Sequence, residues 1–195
     1  EPLNHTNMNK LPVLIATLFM TILISCGGSS GDQPANAEGF SEIEKEIKEK
    51  FGDNAYFTEL SIIHVASIGN SISTTVTDAP ESLAMGQWTM SQGNWNQTSD
   101  VTLEIPEGTK AADFMFQLDD AINLSTLGGL VQKSMKQLTA EKDLENPMLS
   151  MAFVKFPKNG DLSETNYVVQ LEPENGGTTF SFFYTLNGEL IEMDY

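Results

Sequence analysis

Arginine is absent from this 195-residue chain, which contains one cysteine and two histidines. A single cysteine cannot form an internal disulfide, and so few His and Cys residues cannot build the usual zinc sites. The motifs Gly-x-Ser-x-Gly, Ser-x-x-Lys and Gly-x-Gly-x-x-Gly are also missing. His5 precedes the expected mature chain, and His64 lies in a predicted strand, where we expect a structural role. These absences predict a protein that is not an enzyme and holds no cofactor.

Charge of one sign dominates, since 27 Asp and Glu residues oppose ten lysines and give a formal net charge of −17. A chain this acidic, without the guanidinium groups that pair with phosphate, is poorly suited to binding nucleic acid. An anionic membrane surface would also repel it, so membrane attachment would depend on a lipid. The acidity itself is typical of a protein that must stay soluble.

Residues 8–26 have the pattern of an export signal. Met8-Asn9-Lys10 is a short basic start, and the apolar run of residues 11–24 follows it. This run is too short to span a bilayer, which needs about 20 residues. It ends in Leu23-Ile24-Ser25-Cys26, which resembles the lipobox of bacterial lipoproteins. The resemblance implies cleavage before Cys26, lipid attachment to that cysteine, and removal of residues 1–25, which comprise the signal peptide and upstream residues.

Residues 26–39 are small and polar, which predicts a flexible tether between the lipid and the folded part. Two acyl chains would hold such a protein stably in a membrane. Gly27, rather than Asp, follows the cysteine. The sorting rule of enterobacterial lipoproteins then implies the outer membrane, so we expect a lipid-anchored envelope protein that is either periplasmic or surface-exposed.

The rest of the chain reads as two copies of one unit. Residues 59–65 match 148–154, and residues 76–81 match 169–174, in the same order along the chain. The offset is 89 for the first pair of segments and 93 for the second. We therefore predict two tandem α+β repeats, each a helix followed by a four-stranded antiparallel sheet. The first repeat covers 40–108, and the second covers 109–195 together with a linking helix.

Each repeat begins with an amphipathic helical pattern. In the first, Ser41 and Glu44 form a capping-box signature, and Gly52 marks the end of the helix. Apolar residues at helical spacing form both stripes: Phe40, Ile43, Ile47 and Phe51 in the first, and Leu127, Leu130, Val131, Met135 and Leu138 in the second. Similar spacing within residues 109–122 predicts the short linking helix.

Eight strands follow from alternating patterns bounded by turn residues. They are predicted near 56–68, 71–78, 86–93, 99–105, 148–157, 164–172, 177–186 and 189–194. Gly69-Asn70 and Asn187-Gly188 are turn dipeptides between such runs. Short connections make neighbouring strands antiparallel.

This order of elements over residues 40–195 resembles the tandem fold of secreted β-lactamase inhibitor protein. It is also similar to lipoproteins that carry PepSY-like or outer-membrane assembly domains. The resemblance implies a non-enzymatic binding role, in which an open sheet face is presented to a partner protein. No motif of these families matches position by position, so no binding residue is carried over.

Aromatic residues provide the candidate partner site. Trp88 and Trp95 flank a Gly93-Asn94 turn, and Tyr184 lies on the equivalent strand of the second repeat. Strand alternation places Phe180 and Phe182 on one face of that strand and Phe183 on the other. We expect Trp88, Trp95 and Tyr184 to contact a protein or glycan partner, since aromatic residues dominate interface energies.

Three alternatives remain open at this point. A carboxylate-dependent hydrolase of envelope glycans would use paired acids, and a structural or assembly lipoprotein would need no ligand. The acids at equivalent positions are Glu81, Glu104, Glu172, Glu174 and Glu192. A structural calcium would need oxygen-rich loops. Two such segments exist, Asn94, Asn96, Ser99 and Asp100, and Asn159, Asp161, Ser163 and Glu164, although both also suit ordinary turns.

Overall fold

The computed structural model describes residues 31–65, 67–142 and 144–195. The predicted signal peptide and the predicted lipid-attachment residue Cys26 lie outside the described residues.

Within the described residues, two α-helices and eight strands follow one another in the order helix, four strands, helix, four strands. They are α1 (Ala37–Phe51), β1 (Tyr56–Val65), β2 (Gly69–Thr77), β3 (Ala84–Ser91), β4 (Asn94–Thr102), α2 (Leu124–Lys142), β5 (Pro147–Lys155), β6 (Asn166–Pro173), β7 (Phe180–Thr185) and β8 (Leu190–Asp194). Single 3-10 turns occur at Pro80–Ser82, Ala111–Phe114 and Leu162–Glu164. The predicted α+β class is confirmed.

All eight strands form one antiparallel sheet in the order β4-β3-β2-β1-β5-β6-β7-β8. The prediction of two separate four-stranded sheets therefore needs correction. At the junction, Ser61 of β1 lies opposite Phe153 of β5, and Ile63 lies opposite Met151. In separate sheets, β1 and β5 would each be an exposed edge with unpaired backbone groups, and their pairing removes both edges.

Both helices pack on the same face of the sheet and against each other. One row of core residues crosses all eight strands beneath them: Trp95, Met90, Ile72, Ile62, Ala152, Val169, Phe182 and Met193. The six central members of this row are fully buried. The described core is thus continuous between the two halves of the chain.

The N-terminus of α1 differs from the predicted capping box. The helix begins at Ala37, and the N-cap residue is Asn36, whose side chain accepts a hydrogen bond from the Gly39 amide at 2.8 Å. Glu44 has two other partners. Its carboxylate forms a salt bridge with Lys48 at 2.6 Å and accepts a hydrogen bond from the Leu124 amide at 2.7 Å. Glu44 therefore satisfies a free amide at the start of α2 and ties the two helices together.

Residues 103–123, the linking segment, do not form the predicted linking helix. Only Ala111–Phe114 forms a single 3-10 turn. Phe116 instead exchanges two backbone hydrogen bonds with Phe57, each 2.8 Å long, at the start of β1. The segment thus runs along one end of the sheet, because its apolar residues pack there rather than along a helical stripe.

The two halves share a pattern at an offset that differs from the predicted one. In β1 a bulge follows Phe57, and in β5 a bulge follows Leu149. The buried residues Phe57, Leu60 and Ile62 of β1 correspond to Leu149, Ala152 and Val154 of β5, each pair 92 residues apart. The sequence match at 89 was wrong by three positions.

Candidate binding surface on the sheet

No described helix covers the second face of the sheet, which we call the bare face. Its residues alternate with the core residues along each strand. One row crosses this face in the order Asn96, Thr89, Ser73, Ser61, Phe153, Val168, Phe183 and Glu192. The first half of the row is polar and mostly carries hydroxyl groups, while the second half is apolar as far as Phe183 and ends in Glu192 on the edge strand. The change occurs at the β1–β5 junction.

The apolar half of the bare face contains a small aromatic cluster. Phe153 and Phe183 flank Val168, which they leave only 1% exposed, while both phenylalanines remain half-buried. Met151 lies beside them on the same face. The ammonium of Lys155 is 5.5 Å from the centre of the Phe183 ring, which is a cation–π distance. A hydrophobic surface with a positive group beside it is thus accessible.

A groove of about 690 Å³ adjoins this cluster. One wall is the linking segment with Leu103, Glu104 and Phe114, and the floor is formed by β1 and β5. The remaining lining residues are Thr58, Glu59, Leu60, Ser61, Ser73, Met151, Phe153, Val154, Lys155, Phe156, Pro157 and Lys158. Glu59 and Lys155 give the groove both charge signs, and the Thr75 hydroxyl donates a hydrogen bond to Glu59 at 3.0 Å.

The two tryptophans lie on the helix side of the sheet. Both rings pack edge-on against Phe51 at the end of α1, with centroid distances of 5.5 Å for Trp88 and 5.0 Å for Trp95. Lys50 lies 4.7 Å from the Trp88 ring centre. Both tryptophans are half-buried. Their position is explained by packing between the sheet edge and α1, so the structure does not join them to the bare face.

Tyr184 lies in the core with 0% of its surface exposed. Its hydroxyl shares a 2.8 Å hydrogen bond with the Ser134 hydroxyl of α2. Burial raises the pKa of Tyr184 above its ordinary value, although the Ser134 hydrogen bond partly opposes the shift. The expectation that Tyr184 contacts a partner is therefore corrected, because strand alternation turns its ring toward the helices.

The acidic residues considered for catalysis lie on separate elements of the fold. Glu81 is in the 3-10 turn before β3, Glu104 is in the linking segment, and Glu192 is on the outer strand β8. Glu172 is half-buried near the end of β6, and Glu174 is exposed just beyond it. The described part of the chain also contains no group of three or more His, Cys, Asp or Glu residues that could hold a metal ion.

The two oxygen-rich segments have different structures. The first segment, which contains Asn94, Asn96, Ser99 and Asp100, is not a loop, because Asn94–Thr102 forms the edge strand β4. In the second, the Asp161 carboxylate accepts hydrogen bonds from the amide and hydroxyl of Ser163, which lower the pKa of Asp161. Asn159 likewise accepts from the Asp161 amide. These are the local hydrogen bonds of turns.

Sequence reasoning overlooked Phe153 and Met151 as candidate surface residues. For Phe183 the sequence did contain a signal, because strand alternation places it on the face opposite to Phe182. For Phe153 the match with His64 at the incorrect offset hid its surface position. His64 itself is half-buried, with its Nδ1 atom 3.0 Å from the Asn70 side-chain oxygen.

Comparison with known proteins gives one structural likeness. A crystal structure of a "putative lipoprotein" from Clostridium difficile 630 matches with a TM-score of 0.50 and 12% sequence identity. The two chains share a fold. The match covers 80% of this chain and 91% of the other. No protein-family model matches the sequence, and a search of curated proteins gives no match. Within the described residues, neither helix is long and apolar enough to cross a membrane.

Proposed function

We propose that this protein is a lipid-anchored envelope protein that binds a partner protein through the aromatic half of its bare face, without catalysis. The observation that carries the proposal is the accessible cluster of Phe153, Phe183 and Met151 on a sheet face that no described helix covers. The lipobox and the lipoprotein neighbour support the anchor. An outer-membrane location remains part of the proposal and rests on Gly27 alone.

We also propose that the two halves are copies of one unit whose bare faces have diverged. When β1 is matched with β5, β2 with β6 and β3 with β7, the same cross-strand pairs occur in both halves. The matching residues are then 92, 95 and 94 positions apart, respectively. At these offsets Ser61, Ser73 and Thr89 correspond to Phe153, Val168 and Phe183. The core positions stay mostly apolar, as in Ile62 and Val154, or Trp88 and Phe182. The change from hydroxyl to apolar side chains on the bare face is not needed by the shared core, which supports a role in binding.

A protein partner fits this surface better than the other classes. Aromatic and methionine side chains are enriched in protein interfaces, and a central apolar cluster with a polar rim is their usual composition. Glycosidases instead need two carboxyl groups within about 10 Å across a cleft. The acidic residues considered above are dispersed over different elements. Nucleic acid is disfavoured by the net charge of −17.

The anchor is tested by fractionation. Wild-type protein, expressed with its signal in a bacterial host, should be in the membrane fraction and should incorporate labelled palmitate. The Cys26→Ser variant should lose the label and move to the soluble fraction. Equal fractionation of both proteins would contradict the anchor while leaving the binding surface untested by that experiment.

The binding surface is tested by site-specific photo-crosslinking in the native host. A photoreactive phenylalanine analogue at Phe183 should give a discrete adduct with one protein, which is then identified and purified. The same analogue at Gln132, an exposed residue of α2 on the opposite side, is the matched control. Adducts of equal yield at both positions, or adducts at Gln132 alone, would contradict a binding role for the bare face.

A further inference from the structure

The chain that precedes α1 is docked on the sheet. The Asn70 amide donates a 2.7 Å hydrogen bond to the Gly31 carbonyl, and the Asn70 side chain donates another of 2.7 Å to the Gln33 carbonyl. Asn70 is fully buried, and its side-chain oxygen is 3.0 Å from His64 Nδ1. The expected flexible tether of residues 26–39 is therefore already fixed from Gly31 onward, and Ala37 begins α1.

The geometry around Gly31 is close enough to exclude a loose association. Gly69 has a φ of +77°, and a Cβ at that position would lie 1.9 Å from the Gly31 carbonyl oxygen. A Cβ on Gly31 would lie 3.1 Å from the Ile68 carbonyl oxygen. The contact at Gly69 requires glycine, whereas a Cβ on Gly31 would require a shift of a few tenths of an ångström. Gly31 is thus held directly against the β1–β2 turn.

This docking fixes how far the folded part can move from a lipid on Cys26. Only residues 27–30 separate the two positions. At 3.3–3.6 Å per residue, the five steps from 26 to 31 span at most about 18 Å. Had the chain been free as far as Ala37, eleven steps would span about 40 Å.

We infer that the sheet is oriented on the membrane, with the end that carries the β1–β2 turn facing the lipid surface. The inference rests on the proposed acylation of Cys26. The β3–β4 turn and the start of β5 lie at this same end, because β1 and β5 are antiparallel. The linking segment then lies at the opposite end, about 30 Å further out, since β5 has nine residues, and the groove extends from the middle of the sheet toward that end.

This orientation assigns a direction of approach to the partner. Lys155 and Lys158 line the part of the groove that is farthest from the β1–β2 turn. A partner protein would reach it from the aqueous side. The lipid surface would contact the neighbourhood of Ser67, which is exposed in the β1–β2 turn.

Energy transfer to a membrane dye tests the orientation. The natural Cys26 thiol is acylated in the lipidated protein, so Ser67→Cys and Lys158→Cys each offer one site for a donor dye. Both residues are exposed. In phosphatidylcholine vesicles that contain an acceptor lipid, position 67 should transfer energy severalfold more efficiently than position 158. Equal transfer from membrane-bound protein would overturn the orientation.

Two variants separate this inference from the anchor. Insertion of twenty Gly and Ser residues before Gly31 lengthens the tether without altering the sheet, and should remove most of the difference between the two positions. Asn70→Ala removes the side-chain hydrogen bond to Gln33 but keeps the backbone hydrogen bond to Gly31, so it should reduce the difference less than the insertion does. If the protein does not bind vesicles at all, the proposed anchor is contradicted. If it binds but the insertion leaves the energy transfer from positions 67 and 158 unchanged, only the orientation is contradicted.

Discussion

Ser61 and Phe153 lie opposite each other at the junction of β1 and β5, in the middle of the sheet. They are 92 residues apart and occupy corresponding positions if the two halves are copies of one unit, as proposed above. A hydroxyl group thus faces an aromatic ring across the junction. This pair marks the boundary between the hydroxyl-rich and aromatic halves of the bare face.

Adjacent phenylalanines on β7 should differ strongly in their effect on stability. Phe182 is fully buried beneath the helices, so Phe182→Ala should lower the free energy of unfolding by about 3–5 kcal/mol. Phe183 is half-buried on the bare face, and Phe183→Ala should cost about 1 kcal/mol. Urea denaturation measures both. Equal losses would mean that the bare face is covered in the folded protein.

Two neighbouring glycines of α2 should respond in opposite directions to alanine. A Cβ at Gly128 would lie 2.2 Å from the Asn36 carbonyl oxygen, so Gly128→Ala must separate α2 from the N-terminus of α1. Gly129 has no atom within 4 Å of such a Cβ, and Gly129→Ala should raise stability by about 0.5–1 kcal/mol through helix propensity. Thermal unfolding should show a clear loss for the first variant and a small gain for the second. Parallel changes would refute the close approach.

The tryptophans should support packing rather than binding. Trp95→Ala removes an edge-on contact with Phe51 and should reduce the free energy of unfolding by about 2 kcal/mol, because the ring is half-buried. The affinity for the partner should not change. If Trp95→Ala leaves the stability unchanged but abolishes binding of the partner, Trp95 belongs to the binding surface.

Alkaline pH should destabilise the protein partly through Tyr184. Burial raises the pKa of Tyr184 in the folded state, while the unfolded side chain titrates near its ordinary pKa of about 10. The unfolded state loses the proton first, so the free energy of unfolding falls as the pH rises above that value. Tyr184→Phe should flatten this fall and should cost about 1 kcal/mol at pH 7 through loss of the Ser134 hydrogen bond. Denaturation at pH 7, 9 and 11 gives both quantities. An unchanged alkaline slope would contradict the raised pKa.

The sequence predicted the elements better than their arrangement. The spacing of apolar residues predicts α1, α2 and most strands, because each of these elements buries one apolar side. The strand Asn94–Thr102 began five residues earlier than predicted, because a polar edge strand has no apolar alternation to reveal it. The capping box was wrong because Asn36 provides an equally good cap, and only tertiary contact shows that Glu44 serves α2.

The surface was harder to predict than the core. Alternation assigns a residue to one face of a strand but does not say which face the helices cover. Tyr184 and Phe183 were therefore equally good candidates in the sequence. The pairing of β1 with β5 joins segments that are far apart in the sequence, and no local pattern indicates it. The bulges after Phe57 and Leu149 also shift the alternation of the strands, which periodicity does not reveal.

The dissociation constant for the crosslinked partner protein, measured by calorimetry with purified components, tests the central claim most directly. Phe153→Ser should raise it by about tenfold or more, which corresponds to about 1.4 kcal/mol, if Phe153 is at the centre of the interface. Thr89→Ala, on the hydroxyl half of the same face and outside the groove, should leave it nearly unchanged. A folded Phe153→Ser protein that binds as tightly as wild type would contradict binding through the aromatic half of the bare face.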